Sequence, residues 1–392
     1  FTFTRGSVAT RINAQGLIEN VASGQSRLNY PMIDGVQKGC PHHILEPART
    51  NFIHYSEDFS NGFWSKRGAS VVGGQVSPNG GTSAFKLVES STTDIHKVFE
   101  NFALGITTGT VVTTSVYAKA GERSILKLQP YIGTKYIYVN FDLSNGTVGL
   151  TSGDEISKKI ELLSNGYYRC SITFLTDGTS VQTHFVLTDS NIAGVNPSYT
   201  GDGTSGIYIF GAMLEAGSFP TSYIPNNGNA AGVTRSAETA SGAGNSTTFN
   251  DSEGVFMVEA AAFTDLSSAD RTISVNDGLA GSKYVLIQFR TDGKIWALVK
   301  GGTAINLEAD LTENHKIAVR WKSDLTFDLY VDGVLRGSST YAASLTNLSE
   351  VSFVAWTTIQ SFYGKTKQVQ YFDSILADTQ LEQLTSWQSF RD

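Results

Sequence analysis

Glu308-Ala309-Asp310-Leu311-Thr312-Glu313 has a carboxylate spacing that could serve retaining glycoside hydrolysis. On a strand, a period of two puts Glu308 and Asp310 on one face, and a bulge could bring Glu313 round to them. That chemistry needs two carboxyl groups about 5 Å apart, one as nucleophile and one as acid and base. The residues between the acids argue against it. Ala309, Leu311 and Thr312 include only one bulky apolar residue to wall such a site, and the segment leads directly into the run that starts at His315. The expectation is a solvated loop and no catalysis.

Other patterns are weaker still. Gly201-Asp202-Gly203-Thr204-Ser205-Gly206 matches G-x-G-x-x-G, but a dinucleotide site needs a helix next, to aim its N-terminus at pyrophosphate. Ile207-Tyr208-Ile209-Phe210 reads as a strand, so the glycines predict a tight turn. His42 and His43 are adjacent and would point opposite ways on extended backbone. With no His-x-His or Cys-x-x-Cys spacing, a zinc centre is not expected. Oxygen ligands leave little trace in a sequence, so a structural calcium remains open, with Asp202, Asp94 and Asp292 as loop candidates and Asp202 first among them. No G-x-S-x-G elbow occurs: Gly105-Ile106-Thr107-Thr108-Gly109 has Thr107 in the serine position and leads into a strand.

Sugar recognition would use aromatic faces rimmed by polar groups. Tyr131, Tyr136 and Tyr138 form one aromatic patch, with Tyr136 and Tyr138 on the same side of a strand. Trp356 and Phe362-Tyr363 flank a later loop, which makes Trp356 and Tyr363 the second pair of glycan candidates. The competing reading for each ring is core packing. Trp64 and Trp321 are assigned to the core.

These residues must be positioned by strands. His315–Gly337 reads as three strands in a row: Ile317, Val319 and Trp321 point one way, Phe327, Leu329 and Val331 repeat the alternation, and Asp332-Gly333 is a two-residue hairpin turn. Runs over 111–118, 124–128, 136–142, 167–174, 183–187 and 206–214 predict a first sandwich or jelly roll within 51–225. Runs over 254–263, 271–275, 284–289, 294–299, 351–356 and 367–373 predict a second within 251–392. Residues 1–50 read as a strap laid over the first domain, and 226–250 as a Gly/Ser/Asn-rich linker. One helix is expected near the end, capped by Asp378, with Leu381, Leu384 and Trp387 on one face. The fold class is therefore all-β, with two antiparallel sandwiches and one short terminal helix.

Bulk composition agrees. Charged residues are only 17% of the 392, aromatic residues are 11%, and there are 39 glycines, as in turn-rich β domains. A net charge of −7 without a basic run argues against nucleic acid or an anionic membrane as a partner. No apolar run is long enough to span a membrane as a helix, and no signal-peptide pattern is present. Cys40 and Cys170 make no disulfide framework, and Cys170 reads as a buried thiol. The chain opens on Phe1 already in strand rhythm, which reads as a fragment, a processed product or the ordered part of something longer.

Three strings go beyond this texture. The first is Leu45-Glu46-Pro47-Ala48-Arg49-Thr50-Asn51 with Tyr55-Ser56-Glu57-Asp58-Phe59-Ser60 and Trp64-Ser65-Lys66. The second is Tyr199-Thr200-Gly201-Asp202-Gly203 with Gly211-Ala212-Met213-Leu214-Glu215-Ala216-Gly217 and Thr221-Ser222-Tyr223-Ile224-Pro225. The third is the Asp332-Gly333 hairpin with Phe362-Tyr363-Gly364 and the terminal helix. In this order they resemble phage and prophage structural proteins that pair a carbohydrate-binding-module-like jelly roll with a concanavalin A-like (laminin-G-like) sandwich. The resemblance implies a non-enzymatic head-fibre, tail-fibre or spike component on a virion surface or outside the cell. Its partners would be cell-surface or marine polysaccharide and other particle proteins. A homo-oligomer is compatible with it, though no heptad supports a coiled coil. Two other readings stay open: a binding-module pair from a secreted polysaccharide-degrading enzyme, and a purely structural decoration protein.

Overall fold

The computed structural model describes residues 1–33, 35–37, 39–100, 104–263, 269–278, 282–354 and 360–387. Among the described residues it is all-β apart from one α-helix, Asp378–Thr385. The first sandwich has two six-stranded antiparallel sheets. One runs in the order Ala69–Gln75, Ala84–Glu89, Gly206–Ala216, Val111–Ala120, Tyr168–Leu175, Ser157–Leu162. The other runs Thr147–Thr151, Val139–Asp142, Ile125–Leu128, His184–Thr188, His96–Glu100, Trp64–Arg67. Alternation explains the interior. Val98, Leu126, Leu128, Phe141, Phe185 and Leu187 of the second sheet meet Val112, Val116, Ile172 and Ile209 of the first, all fully buried. Trp64 and the thiol of Cys170 belong to the same core.

In the second sandwich a seven-stranded sheet faces a five-stranded one. Strands Gly254–Ala262, His315–Trp321 and Thr326–Val331 lie side by side, and Ile317, Val319, Trp321, Phe327, Leu329 and Val331 all point into the core. The Asp332-Gly333 turn has φ of 53° and 81° at its two residues, the left-handed pair that a tight two-residue hairpin requires. The helix begins one residue earlier than a cap at Asp378 would imply. Its N-cap is Ala377, and the Asp378 carboxylate instead accepts from Arg320 at 2.7 Å and from the Tyr330 hydroxyl at 2.9 Å. Leu381 is buried and Leu384 packs beside it, whereas Trp387 lies beyond the helix, is 49% exposed, and donates to Asp332 at 2.8 Å.

The strap and the linker differ from expectation. Ile12 and Ile18 do pack on the first sandwich, against Tyr117, Phe210, Tyr223 and Ile224. But His42–Leu45 and Leu28–Asn29 extend the seven-stranded sheet of the second sandwich, next to Gly364–Phe372. Residues 226–250 are paired chain and not a free tether: Val233–Arg235 pairs with Arg49–Asn51, and Thr239–Ser241 pairs with Thr2–Thr4. Small polar side chains made this stretch look loose, yet backbone pairing does not depend on side-chain periodicity.

A buried ionic cluster fixes this junction. Arg5 and Arg27 bond to Glu238 at 2.6 and 2.8 Å, and Arg27 and Arg235 bond to Glu46 at 2.7 and 2.6 Å. All five side chains are at most 3% exposed. Burial alone would raise the Glu46 carboxyl, but Arg235, Arg27 and the Ser222 hydrogen bond outweigh it and hold it well below the usual carboxylate range. Parts of the first two strings therefore meet in one hydrogen-bonded polar interior. Asn51 donates to the carbonyls of Ala212 and Ile224, Thr221 donates twice to Glu215, and the Tyr223 hydroxyl meets Ser56 and Glu57, each at 2.9 Å. Phe219 of the first block and Phe263 of the second stack with centroids 4.9 Å apart.

Candidate functional site

The outer face of the sheet that carries Ile125–Leu128 brings the first three tyrosine candidates together. Ile137 is buried in the core, so its neighbours Tyr136 and Tyr138 fall on the opposite, outer side, as the alternation predicts. Tyr131 and Tyr136 are bridged backbone to backbone, with ring centroids 4.9 Å apart, and both are partly exposed. Tyr138 is only 8% exposed.

Register adds residues that the sequence reading passed over. Lys97 is opposite Val186, Val186 is opposite Lys127, and Lys127 is opposite Asn140, so one row crosses four strands. In the next row Phe99 is opposite His184. Lys127 Nζ lies 4.2 Å from the Tyr138 ring centroid, and Lys97 Nζ lies 4.7 Å from that of Phe99 and 5.9 Å from that of Tyr136. The Lys97 ammonium donates to His184 Nδ1 at 3.2 Å, so His184 carries its proton on Nε2. That Nε2–H is buried and has no hydrogen-bond partner among the described residues, and neither has Asn140 Oδ1. Burial, reinforced by Lys97, lowers the His184 pKa to about 3. Burial also lowers Lys127 to about 8, and lowers Lys97 to about 8 with Arg67 adding to the effect. A lysine at an outward position of a strand ordinarily reads as a solvated charge. Only the long-range register shows that these two lie in one buried row.

The segment 189–198 lies over this row. Its Ile192 and Gly194 carbonyls accept from Lys127 at 2.9 and 2.6 Å. Asn196 Oδ1 accepts from Lys97 at 3.0 Å and from Gln129 at 2.9 Å, and Asn191 Oδ1 accepts from Asn140 at 2.8 Å. The tyrosine patch is thus bordered by a polar rim built from both the sheet and this loop.

The other candidates are placed elsewhere. Trp356 lies outside the described residues. Tyr363 sits in the second sandwich, partly buried, with the Arg271 guanidinium 4.9 Å from its ring centroid, so it belongs to core packing and not to the tyrosine patch. Asp202 is turned into its own loop. Its carboxylate accepts from the Thr204 and Ser205 backbone N–H groups at 2.7 Å each and from both hydroxyls at 2.9 and 2.5 Å, which holds it well below the usual carboxylate range. The aspartate thus staples a turn. Among the described residues, no group of three or more His, Cys, Asp or Glu side chains is arranged to hold a metal ion. Glu308 ends the strand Ile305–Glu308, Leu311 is buried in the second core, Glu308 and Glu313 are both exposed, and Asp310 caps Thr312 at 3.0 Å, so only part of the acidic run is a solvated turn.

No protein-family model and no curated protein matches the chain. Among solved structures it is similar to the CBM40 of the Ruminococcus gnavus IT-sialidase, at 12% identity over 38% of this chain and 94% of that one, with a TM-score of 0.31. It is also similar to the native heptameric SAP-like pentraxin from Limulus polyphemus, at 13% identity over 36% of this chain and 73% of that one, with a TM-score of 0.30. A third is the binding domain of Paraclostridial Mosquitocidal Protein 1, at 14% identity over 38% of this chain and 43% of that one, with a TM-score of 0.29. Likenesses this distant say nothing of what the present chain binds.

Proposed function

We propose that this chain is a non-catalytic glycan-binding protein of a phage or phage-like particle surface, and that it binds through the outer face of the first sandwich. The observation that carries the binding reading is the convergence of Tyr131, Tyr136 and Tyr138 on one side of a sheet, within reach of Lys97, Lys127 and His184. Aromatic faces offer apolar contact to a sugar ring while the polar groups fix its hydroxyls. The non-catalytic part is supported by the exposed, unwalled setting of Glu308 and Glu313. The particle-surface part is supported by the resemblance carried by the strings around Glu46, Glu215 and Ser222.

A purely structural decoration protein is the second reading. It is favoured by one observation: Tyr138 is 8% exposed and the 189–198 loop covers its neighbours. Affinity electrophoresis of the full chain through gels containing neutral and acidic polysaccharides separates the two. Retardation in any gel, lost in a Tyr131→Ala/Tyr136→Ala double variant that still unfolds cooperatively, supports glycan binding. Unretarded migration in every gel supports the structural reading.

A further inference from the structure

The row Lys97–Val186–Lys127 holds two lysines that are 6% and 0% exposed. Among the described residues neither makes a salt bridge to a carboxylate. Their partners are neutral: two carbonyls, one amide oxygen and one imidazole nitrogen. Every cation of the junction cluster, by contrast, is matched to Glu46 or Glu238. Beside the two lysines, His184 Nε2–H points into the same layer without an acceptor. The face is therefore rich in donors and poor in anions.

The loop that supplies the neutral oxygens is attached in an unusual way. It touches the face through backbone carbonyls and asparagine side chains, while Ile192 and Val195 are each 43% exposed. Lifting it would break hydrogen bonds but would remove little apolar surface from the core, and Gly194 at φ 87° and Asn196 at φ 51° bracket its tip. A carboxylate or sulfate is a stronger partner for a desolvated ammonium than a carbonyl is, because both partners then carry charge.

We propose that the face formed by Lys97, Lys127 and His184 is a binding site for an acidic sugar, carboxylated or sulfated, and that the 189–198 loop occupies it until such a sugar displaces the loop. Tyr136 and Tyr138, which flank the lysines, supply the ring faces. The proposal rests on the glycan-binding reading above and narrows it to one charge class. The lowered pKa values of both lysines, caused by burial, are those of ammonium groups held without a counter-anion.

The test compares alginate (uronate), fucoidan (sulfate ester) and laminarin (neutral glucan) in affinity gels with the full chain. The expected result is binding at least ten-fold tighter to alginate or fucoidan than to laminarin, and which of the two is preferred identifies the anion. Raising NaCl to about 0.5 M should weaken binding several-fold, because screening at that strength reaches within a few ångströms. Lys127→Met, which keeps the chain volume without the charge, should lower affinity ten-fold or more. Asn196→Ala, which releases the loop from Lys97 and Gln129, should raise it several-fold, since less of the protein is then held in the occupied state. Equal binding to all three polymers, unaffected by salt, overturns the acidic-sugar inference and leaves the glycan reading standing. No binding to any polymer overturns both. Should Lys127→Met fail to fold, the salt dependence and Asn196→Ala still decide the matter.

Discussion

Glu46 and Ser222 are 176 positions apart in the chain and are joined twice: the Ser222 N–H donates to Oε1 at 2.8 Å and its hydroxyl to Oε2 at 2.6 Å. This pair ties the Leu45–Asn51 string to the Thr221–Pro225 string. Arg27 and Arg235 then bind the same carboxylate from the strap and from the segment after the first sandwich. Replacing Glu46 by Ala would leave Arg235 buried without its carboxylate and strip one from Arg27. Breaking one partner of a buried ion pair costs about 3–5 kcal/mol. Denaturant unfolding of Glu46→Ala should show a loss of that order, and a loss near zero would mean the junction carries little of the stability.

His42 and His184 are buried at 5% and 1% exposure, and burial lowers both to a pKa of about 3. Their folded values lie below the unfolded value of 6.5. Between those limits the unfolded chain binds protons that the folded chain does not, so this contribution is complete above 6.5 and is lost as pH falls toward 3. His42→Gln cannot take up that proton. The variant should lose less stability than the parent between pH 7 and pH 5 in paired urea titrations. Equal losses would mean that His42 titrates normally in the fold.

The two cysteines should differ in reactivity. Cys40 is exposed, while Cys170 is buried in the first core, which raises its thiol pKa well above the ordinary value. A thiol-reactive chromophore should therefore report one fast equivalent in the native protein and two in denaturant. Two fast equivalents in the native state would show that the core around Cys170 opens readily.

At the Asp332-Gly333 turn, Gly333 has φ 81°, and a Cβ there would lie 3.3 Å from the Ser386 Cβ. Gly333→Ala should cost about 1–2 kcal/mol, from the left-handed backbone and the close contact together. Asp332→Gly at the preceding position relieves backbone strain, but it removes the carboxylate that accepts from His315, the Lys316 N–H and Trp387, so it should not be a simple gain. Thermal unfolding of the two variants separates backbone strain from lost hydrogen bonds.

Some strands are legible because they alternate, as Lys294–Val299 does, while others, Tyr284–Phe289 among them, are buried on both faces and are legible as short apolar runs. Tyr284–Phe289 and Lys294–Val299 were read to the residue, and the Asp332-Gly333 turn followed from its dipeptide. What pairs across the chain was not legible. Nothing local in His42–Leu45 says that it joins the second sandwich, because any extended strand can complete any open edge. Residues 226–250 read as a linker because small polar side chains dominate, and neither its strand pairing nor the burial of Arg235 and Glu238 is visible locally. At the site, the placement of Tyr136 and Tyr138 on one side is legible from their spacing, but whether that side is core or surface is not. The meeting of Lys97, Lys127 and His184 is not legible either, because it is set by strand register over 87 positions of chain.

The most direct test of the glycan-binding face is hydrogen–deuterium exchange of the full chain with and without the polysaccharide that retards it most. Binding at the first sandwich predicts changed exchange in 125–140 and 184–198, with the loop exchanging faster as it lifts and the strands beneath it slower. Changes confined to the second sandwich, with both of those segments unaffected, would contradict the assignment.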